Sequence, residues 1–368
     1  MSDEAIPSVV LDNDAVWDAV LPRLEQIVRS GRFVLGTEVD EFEADAAEAF
    51  GCPWAVGTSS GTAALLLALR AAGLRPGARV GVPANTFFAT FEAVVAAGYL
   101  PVVLDVGEDH VLAPESAAAH QLDAVVPVHL FGLPVDMPRL LEAVSGREMF
   151  VLEDCAQAHG AAIDGRPVGS FGDVGGFSAY PTKNLGAWGD AGFATGSDPH
   201  LRDAIRALRH HGQRTPNVHG YVAGTYRLDT IQALVLSEKL RRLAGEVERR
   251  RTVASWYRHA LADLDLHLPG DAGGRTHAYH QFVVRVPHRD QVRTTLQAMG
   301  VSTGVHYPTP VHLQPGAAGV CEVPARPVVA EALADEVLSL PMYPGLTSQQ
   351  VDRVAASLTL ALRERRSA

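Results

Sequence analysis

The sequence has few cysteines, few aromatic residues and no excess of positive charge. Its three cysteines, Cys52, Cys155 and Cys321, are far apart and form no CxxC pair, which argues against a zinc or redox centre. The formal net charge of −11 excludes bulk electrostatic binding of nucleic acid. The sequence shows no secretory signal and no run of roughly 18 apolar residues for a membrane span. We therefore expect a cytoplasmic protein that engages neither nucleic acid, nor membrane, nor metal.

The order of apolar segments predicts an α/β fold. Between residues 78 and 154, short apolar strands alternate with helices, a pattern typical of βαβ units and a mostly parallel central sheet flanked by helices. A long helical stretch from Leu228 to about Leu264 would bridge two domains. We expect a large domain at 1–245 and a smaller C-terminal α+β domain at 246–368, whose last helix begins with a capping box formed by Thr347 and Gln350.

The segment GTSSGT places small residues directly before an amphipathic helix. Ser60, Gly61 and Thr62 could offer hydroxyls and free backbone N–H groups to a phosphate. Taken alone, such a motif is more often an ordinary capped turn.

Asp154 and Lys183 become candidate cofactor-binding residues because of the residues around them. Asp154 closes the strand MFVLED, at the strand end where ligands of α/β sheets bind, although a capping role is equally compatible with that motif. Lys183 lies in a turn rich in Gly and Pro, five residues after Ser178, and a lone lysine is usually a solvated surface charge. Together they provide the phosphate cradle, acidic partner and amine that pyridoxal 5′-phosphate requires.

Several motifs occur together and in register over nearly the whole chain. They are GTSSGT, PANTFFAT, EDCAQAHG, FSAYPTKNLGAWGD, RHHG, YRLDTIQA and GVHYPTPVHLQP. In order and approximate spacing they resemble the DegT/DnrJ/EryC1/StrS family of sugar aminotransferases, a branch of the type I aminotransferase fold. The resemblance makes the large domain the cofactor-binding one.

The resemblance also implies roles for the site residues. Lys183 would hold pyridoxal phosphate as a Schiff base and act in catalysis with Asp154, which pairs with the pyridine nitrogen. Gln157 would approach the phenolic oxygen of the cofactor, and Phe87 would stack on its ring. The residues implied in phosphate binding are Ser60, Gly61, Thr62 and Ser178. Those implied in binding the sugar or its diphosphate are His210, His211, His306 and Tyr307, for which an ordinary hydrogen-bonding role is as compatible with the sequence.

One position departs from the family pattern. Many relatives read G-x-N-x-R-L-D before the long helix, with the Asn reaching a phosphate across a dimer interface. Here Thr225 stands at that position, and its shorter hydroxyl puts the contact in question. A homodimer with active sites at its interface is expected from the resemblance alone.

The implied reaction moves an amino group from L-glutamate to a nucleotide-linked keto sugar, with dTDP-3-keto-6-deoxyhexose as the favoured substrate. Alternatives are C4 amination of a dTDP- or UDP-4-keto sugar, amination of a keto-cyclitol, and a nucleotide-sugar sensor without turnover. A sugar dehydratase of this family would carry histidine at the position of Lys183, so the lysine argues against it.

Overall fold

The computed structural model describes residues 5–271 and 273–363. Among these residues, no helix combines the length and the hydropathy needed to cross a membrane. The helices are α1 Asp14–Ser30, α2 Thr37–Ala49, α3 Gly61–Ala71, α4 Phe88–Ala96, α5 Pro114–Ala118, α6 Met137–Ala143, α7 Pro199–Leu208, α8 Thr230–Leu240, α9 Leu243–Ala260, α10 Arg289–Ala298, α11 Val328–Glu336 and α12 Ser348–Arg363.

Most strands are short, and the longest have five residues. The strands are β1 Trp54–Thr58, β2 Arg79–Pro83, β3 Leu100–Leu104, β4 Ala124–Val125, β5 Phe150–Asp154, β6 Ala162–Ile163, β7 Arg166–Pro167, β8 Val174–Ser178, β9 Gly192–Gly196, β10 Gln213–Thr215, β11 Val218–His219, β12 Arg275–Thr276, β13 Phe282–Arg285 and β14 Val337–Leu340.

The central sheet has the strand order β1-β9-β8-β5-β4-β2-β3. Strand β9 is antiparallel to both of its neighbours, and the remaining pairs are parallel. Six of the seven strands therefore end at the same edge, where their carboxyl ends can build one site. Burial of nearly every residue in β1, β2 and β5 fits a sheet covered on both faces, and the predicted mostly parallel sheet is confirmed.

Separate hydrophobic cores lie on the central sheet and in the C-terminal part of the chain. The C-terminal core is built mainly from α9, β13, β14 and α12, and it also includes Ile6 from the N-terminal segment. The domain boundary at 245/246 stays a prediction; in the structure it falls within the first turn of α9. The predicted capping box is confirmed, because Gln350 donates its backbone N–H to the Thr347 hydroxyl and its side chain accepts from the Thr347 N–H.

The long helical stretch predicted from Leu228 to about Leu264 is divided in the structure. Helix α8 ends at Leu240, and α9 begins at Leu243. The reason lies in packing, since α8 buries Leu234 and Val235 against α1, whereas the later part of α9 buries its apolar side chains in the C-terminal core. The apolar spacing alone does not distinguish one long helix from two consecutive helices with different partners.

A buried carboxylate fixes the edge of the sheet that carries the site. Glu43 of α2 accepts hydrogen bonds from the Gly57 N–H of β1, at 2.9 Å, and from the guanidinium groups of Arg206 and Arg209. Glu43 and Arg209 are both buried. Removal of one partner of a buried ion pair leaves an uncompensated charge in the interior. Breaking this cluster should therefore destabilise the fold strongly.

We expect Glu43→Ala to lower the free energy of unfolding by about 3–5 kcal/mol, because it strands the buried Arg209 charge. Urea denaturation followed by circular dichroism measures the change. Glu25→Ala is the matched control: it removes an exposed helical ion pair with Arg29 and should change stability by less than about 1 kcal/mol. Equal effects of the two substitutions would contradict the assigned role of Glu43.

Candidate active site

The carboxyl edge of the central sheet brings the predicted site residues together. Asp154 is the last residue of β5, Ser178 is the last residue of β8, and Ser60 follows the end of β1 as the N-cap of α3. Lys183 lies in the loop that joins β8 to β9. The pairing of β5 with β8 in register thus sets the spacing between the acidic and the phosphate-binding ends of the site.

Asp154 is buried and held by two hydrogen bonds. The Thr90 hydroxyl donates to its Oδ2 at 2.7 Å, and the Ala156 N–H donates to its Oδ1 at 3.0 Å. Burial raises the pKa of Asp154, and these two hydrogen bonds together with the Lys183 charge oppose that rise. The two bonds fix the direction of the carboxylate at the strand end.

Thr90 is a site residue that the sequence analysis missed. Its hydroxyl lies 2.8 Å from that of Thr86, so the two threonines and Asp154 form a buried polar chain at the start of α4. Both threonines belong to the segment PANTFFAT, and a hydroxyl in the first turn of a largely apolar helix was the available signal.

Lys183 is held in a tight turn. Its N–H donates to the Tyr180 carbonyl at 2.9 Å, and a side chain at Gly186 would lie 2.3 Å from the Pro181 carbonyl oxygen. The Lys183 side chain is partly exposed, yet burial of its ammonium group lowers its pKa to about 8, while the Asp154 carboxylate acts in the opposite direction. Lys183 is therefore a far better nucleophile near neutral pH than an ordinary surface lysine.

The small residues before α3 form a cup against β8. The Ser60 hydroxyl accepts from the Ala63 N–H at 3.1 Å, which caps the helix as the motif allows. Gly61 is required here, because a Cβ on it would lie 2.5 Å from the Ser178 Cβ. This close approach brings the Ser178 hydroxyl beside the first-turn N–H groups of Gly61 and Thr62, which have no partners within the helix. Such a cup suits an anion.

Gln157 lies three residues after Asp154 and is buried, and its side chain has two hydrogen-bond partners. Its Oε1 accepts from the Phe131 N–H at 2.7 Å, and its Nε2 donates to the Tyr307 hydroxyl at 3.0 Å. The Phe87 ring is more than half exposed and lies 5.6 Å from the Tyr307 ring, whereas Phe88 packs against Phe91. Phe87 is thus free to stack on a ligand while Phe88 serves the core.

Three imidazoles lie close enough to Lys183 to respond to its charge. Burial, with Lys183 as a further cause, lowers the pKa of His159 to about 3, of His306 to about 4, and of His280 well below its ordinary value. His306 is bonded through Nδ1 to the Ser339 hydroxyl at 2.8 Å. These rings lie near the amine as neutral groups, which leaves Asp154 as the anion that most affects the pKa of Lys183.

The other predicted residues lie together on a separate segment. His210 forms an isolated bridge with Thr225, and its Nδ1 lies 2.6 Å from the Arg227 guanidinium. His211 and Thr225 are exposed. The Ser59 N–H donates to the Tyr226 carbonyl at 2.8 Å, so this segment lies next to the cup before α3. Within one chain, none of these histidines is among the groups that shift the pKa of Lys183.

A buried pair supports the strand that carries Asp154. The Glu153 carboxylate accepts from His129 Nε2 at 3.0 Å and from the N–H groups of Gly169, Phe171 and Gly172, while the Val135 N–H donates to His129 Nδ1. Although His129, Glu153 and Cys155 lie close together, these bonds already occupy the ligand atoms of the first two. They support structure, and the signal for Glu153 was a charge inside an apolar strand.

The arrangement fits pyridoxal phosphate. The cup formed by Gly61 and Ser178 suits its phosphate, the oriented Asp154 carboxylate suits a protonated ring nitrogen, and Lys183 provides an amine of lowered pKa facing the same space. The partial exposure of Lys183 and Phe87 leaves this space open on one side.

We expect Lys183 to titrate near pH 8 in the cofactor-free protein, protonated below and neutral above that value. Lys183 and Lys239 are the only lysines in the sequence, so reductive methylation with ¹³C-formaldehyde labels two side chains, whose carbon signals can be followed against pH by NMR. Lys239, whose pKa burial lowers less, serves as the internal control. In Asp154→Asn, the Lys183 midpoint should fall further, because the carboxylate favours the ammonium form. A midpoint near 10.5 in the unaltered chain would contradict the burial argument.

Comparison with known proteins agrees with this geometry. The pattern of the DegT/DnrJ/EryC1/StrS aminotransferase family matches residues 17–359. Over 349 residues, the chain is 41% identical to UDP-N-acetyl-3-dehydro-alpha-D-glucosamine 3-aminotransferase of Acidithiobacillus ferrooxidans, covering 94% of each protein. Over 345 residues it is 41% identical to dTDP-3-amino-3,4,6-trideoxy-alpha-D-glucose transaminase of Streptomyces venezuelae, covering 92% of this chain and 90% of the relative.

A solved structure shows the same fold. The crystal structure of S. venezuelae DesV in complex with a ketimine intermediate superposes with a TM-score of 0.91 at 38% identity, covering 97% of this chain and 99% of DesV. The predicted fold class and the predicted type of enzyme, a transaminase, are confirmed. The chain belongs to the DegT/DnrJ/EryC1/StrS aminotransferase family.

Proposed function

We propose that this chain is a pyridoxal-phosphate transaminase that moves an amino group from L-glutamate to a keto-deoxyhexose linked to a nucleoside diphosphate. The observation that carries the proposal is the Lys183 amine, whose pKa burial lowers to about 8, next to the oriented Asp154 carboxylate. A surface lysine would have neither the lowered pKa nor the acidic partner. The nucleotide-sensor alternative needs neither feature.

The residues that would hold the cofactor lie around one space. Asp154 would pair with the pyridine nitrogen, Gln157 would approach the phenolic oxygen, and Phe87 would stack on the face of the ring. The phosphate would be held by Ser60, Gly61, Thr62 and Ser178. Thr225, on the exposed segment beside this cup, would contribute to the phosphate site of a partner subunit. This contact and the homodimer stay predictions, as does the cytoplasmic location.

When bound, pyridoxal phosphate supplies an electron sink and carries the amino group between donor and acceptor. Lys183 Nζ would provide the covalent attachment. Once released, it would be the base that takes the proton from the α-carbon of the donor and the acid that delivers this proton to the C4′ carbon of the cofactor. A pKa of about 8 suits both directions, because neutral and protonated forms of the amine are both populated near that pH.

The Asp154 carboxylate, oriented by Thr90, would hold the proton on the ring nitrogen of the cofactor. The Thr90 bond and the Ala156 N–H orient the carboxylate so that it remains an acceptor for a ring N–H. Burial of Asp154 at the strand end excludes water from this contact, which strengthens it. The neutral rings of His159 and His280 keep the wall around Lys183 free of further charge.

The substrate prediction draws on the relatives. One of the two named above aminates a UDP-linked 3-dehydro sugar, and the other is named for a dTDP-linked 3-amino sugar. Both names place the nitrogen on C3. These names support dTDP-3-keto-6-deoxyhexose as the acceptor over a 4-keto sugar or a keto-cyclitol, and they support a substrate that carries a nucleotide.

We expect the purified chain to bind pyridoxal phosphate with visible absorbance that L-glutamate bleaches, because Lys183 anchors the cofactor until the donor replaces it. Lys183→Arg should lose this absorbance and reduce turnover by roughly 10²- to 10⁴-fold. Lys239→Arg, the matched control at the other lysine, should leave both unchanged.

Each failure has its own meaning. A colourless protein after incubation with the cofactor would contradict the cofactor assignment, and normal turnover in Lys183→Arg would contradict the role of the lysine. If the protein is coloured and none of the amino donors tested bleaches it, the nucleotide-sugar sensor is favoured.

We expect transamination of dTDP-3-keto-6-deoxyhexose to exceed that of dTDP- and UDP-4-keto sugars and of a keto-cyclitol by at least tenfold in kcat/KM. Mass spectrometry detects the aminated product, and NMR locates its nitrogen. The corresponding UDP-linked 3-keto sugar is the control for the nucleotide. Nitrogen on C4 of the preferred product would contradict the substrate assignment while leaving the transaminase assignment intact.

A further inference from the structure

The Gln157 amide is oriented by its two neighbours without ambiguity. The Phe131 backbone N–H can only donate, so the atom that faces it at 2.7 Å must be the Gln157 carbonyl oxygen. Nε2 therefore faces Tyr307, whose hydroxyl accepts its hydrogen bond at 3.0 Å. A primary amide carries two N–H groups, so one N–H of Gln157 remains after Tyr307 is bonded.

The C-terminal half of the chain fixes both of these neighbours. Phe131 has a φ of 61°, in the left-handed region that a phenylalanine rarely adopts, and its turn is held by backbone bonds from Gln281 N–H to the Phe131 carbonyl and from Ala278 N–H to the Gly132 carbonyl. A Cβ on Gly132 would lie 3.0 Å from the Tyr279 nitrogen, so the two segments touch. Tyr307 lies in the loop after α10 and is itself C-terminal.

The Tyr307 hydroxyl faces Gln157, near the Asp154 carboxylate. Burial raises the pKa of Tyr307 well above its ordinary value, with the Asp154 charge as a further cause, so the phenol stays a neutral hydroxyl throughout the working pH range. Its ring packs 5.6 Å from Phe87. Among the described residues, the hydroxyl has Gln157 as its hydrogen-bond partner, and this contact is made on the side of Asp154.

We propose that Tyr307 is a positioning residue that acts through Gln157, fixing its Nε2 so that the remaining N–H is held for an anionic oxygen of the cofactor, and that it is not a contact for the sugar nucleotide. The inference rests on the proposed function. It replaces the substrate-binding role that the sequence resemblance implied for Tyr307. It also makes the cofactor site dependent on the C-terminal half of the chain, because Tyr307 belongs to that half and residues 278–281 hold the turn that contains Phe131.

Tyr307→Phe tests this inference, because it removes the hydroxyl and keeps the ring beside Phe87. We expect the dissociation constant for pyridoxal phosphate to rise about five- to tenfold, the effect of losing roughly one hydrogen bond. The pH midpoint of the absorbance of the bound cofactor should move upward by about half a unit or more, because a donor held on an anionic oxygen favours the deprotonated chromophore. KM for the keto sugar should stay within about twofold.

A double-mutant cycle separates a role through Gln157 from an independent one. If Tyr307 acts through Gln157, the variant carrying both Tyr307→Phe and Gln157→Leu should bind the cofactor no more weakly than Gln157→Leu alone. Gln157→Glu is a second test that preserves the local bonding, since its carboxylate can accept from both the Phe131 N–H and the Tyr307 O–H but has no N–H to offer. It should also raise the midpoint.

The outcomes are distinct. A raised KM for the keto sugar in Tyr307→Phe, with unchanged cofactor affinity and absorbance, would overturn the inference in favour of substrate contact. Additive losses in the double variant, or an unchanged midpoint in Gln157→Glu, would also overturn it. Failure of the unaltered chain to bind the cofactor would instead contradict the proposed function.

Discussion

The site depends on one electrostatic constraint, which is the placement of a lysine amine and a buried carboxylate at the same edge of a sheet. Desolvation disfavours both charges. Each charge is stabilised partly by the other, and local hydrogen bonds further stabilise Asp154. The two charges are not compensated to the same extent. Asp154 receives Thr90 and the Ala156 N–H, whereas burial leaves Lys183 with a pKa near 8. The asymmetry yields a fixed acceptor and a reactive amine.

The surrounding fold serves to hold that pair. Glu153 and His129 anchor the loop after β7 to the strand that ends in Asp154, and the buried Glu43 cluster ties β1 to α2 and α7. The C-terminal part reaches the same edge through Tyr307 and through the segment that holds the Phe131 turn. The large part of the chain supplies the charged pair and orients Asp154, and the C-terminal part orients Gln157 through Tyr307.

Much of the site could be predicted, because its residues lie in short motifs at strand ends. Asp154, Lys183 and the small residues before α3 are such positions, and the sheet gathers them as expected. Thr90, Glu153 and His129 were missed, since their roles come from partners 16 to 64 positions away. The division between α8 and α9 was missed because apolar spacing does not show which core a helix faces.

The sequence by itself determined the class of chemistry. A lysine, an acidic residue and a phosphate cup in fixed order restrict the cofactor, because each meets a separate chemical demand of pyridoxal phosphate. Tertiary structure decided what each side chain does. Tyr307 faces Gln157, and His306 bonds Ser339, although the motif GVHYPTP gives both the same expectation. The reason is physical: motif spacing fixes which groups are present, while hydrogen-bond direction and burial arise only when distant segments pack.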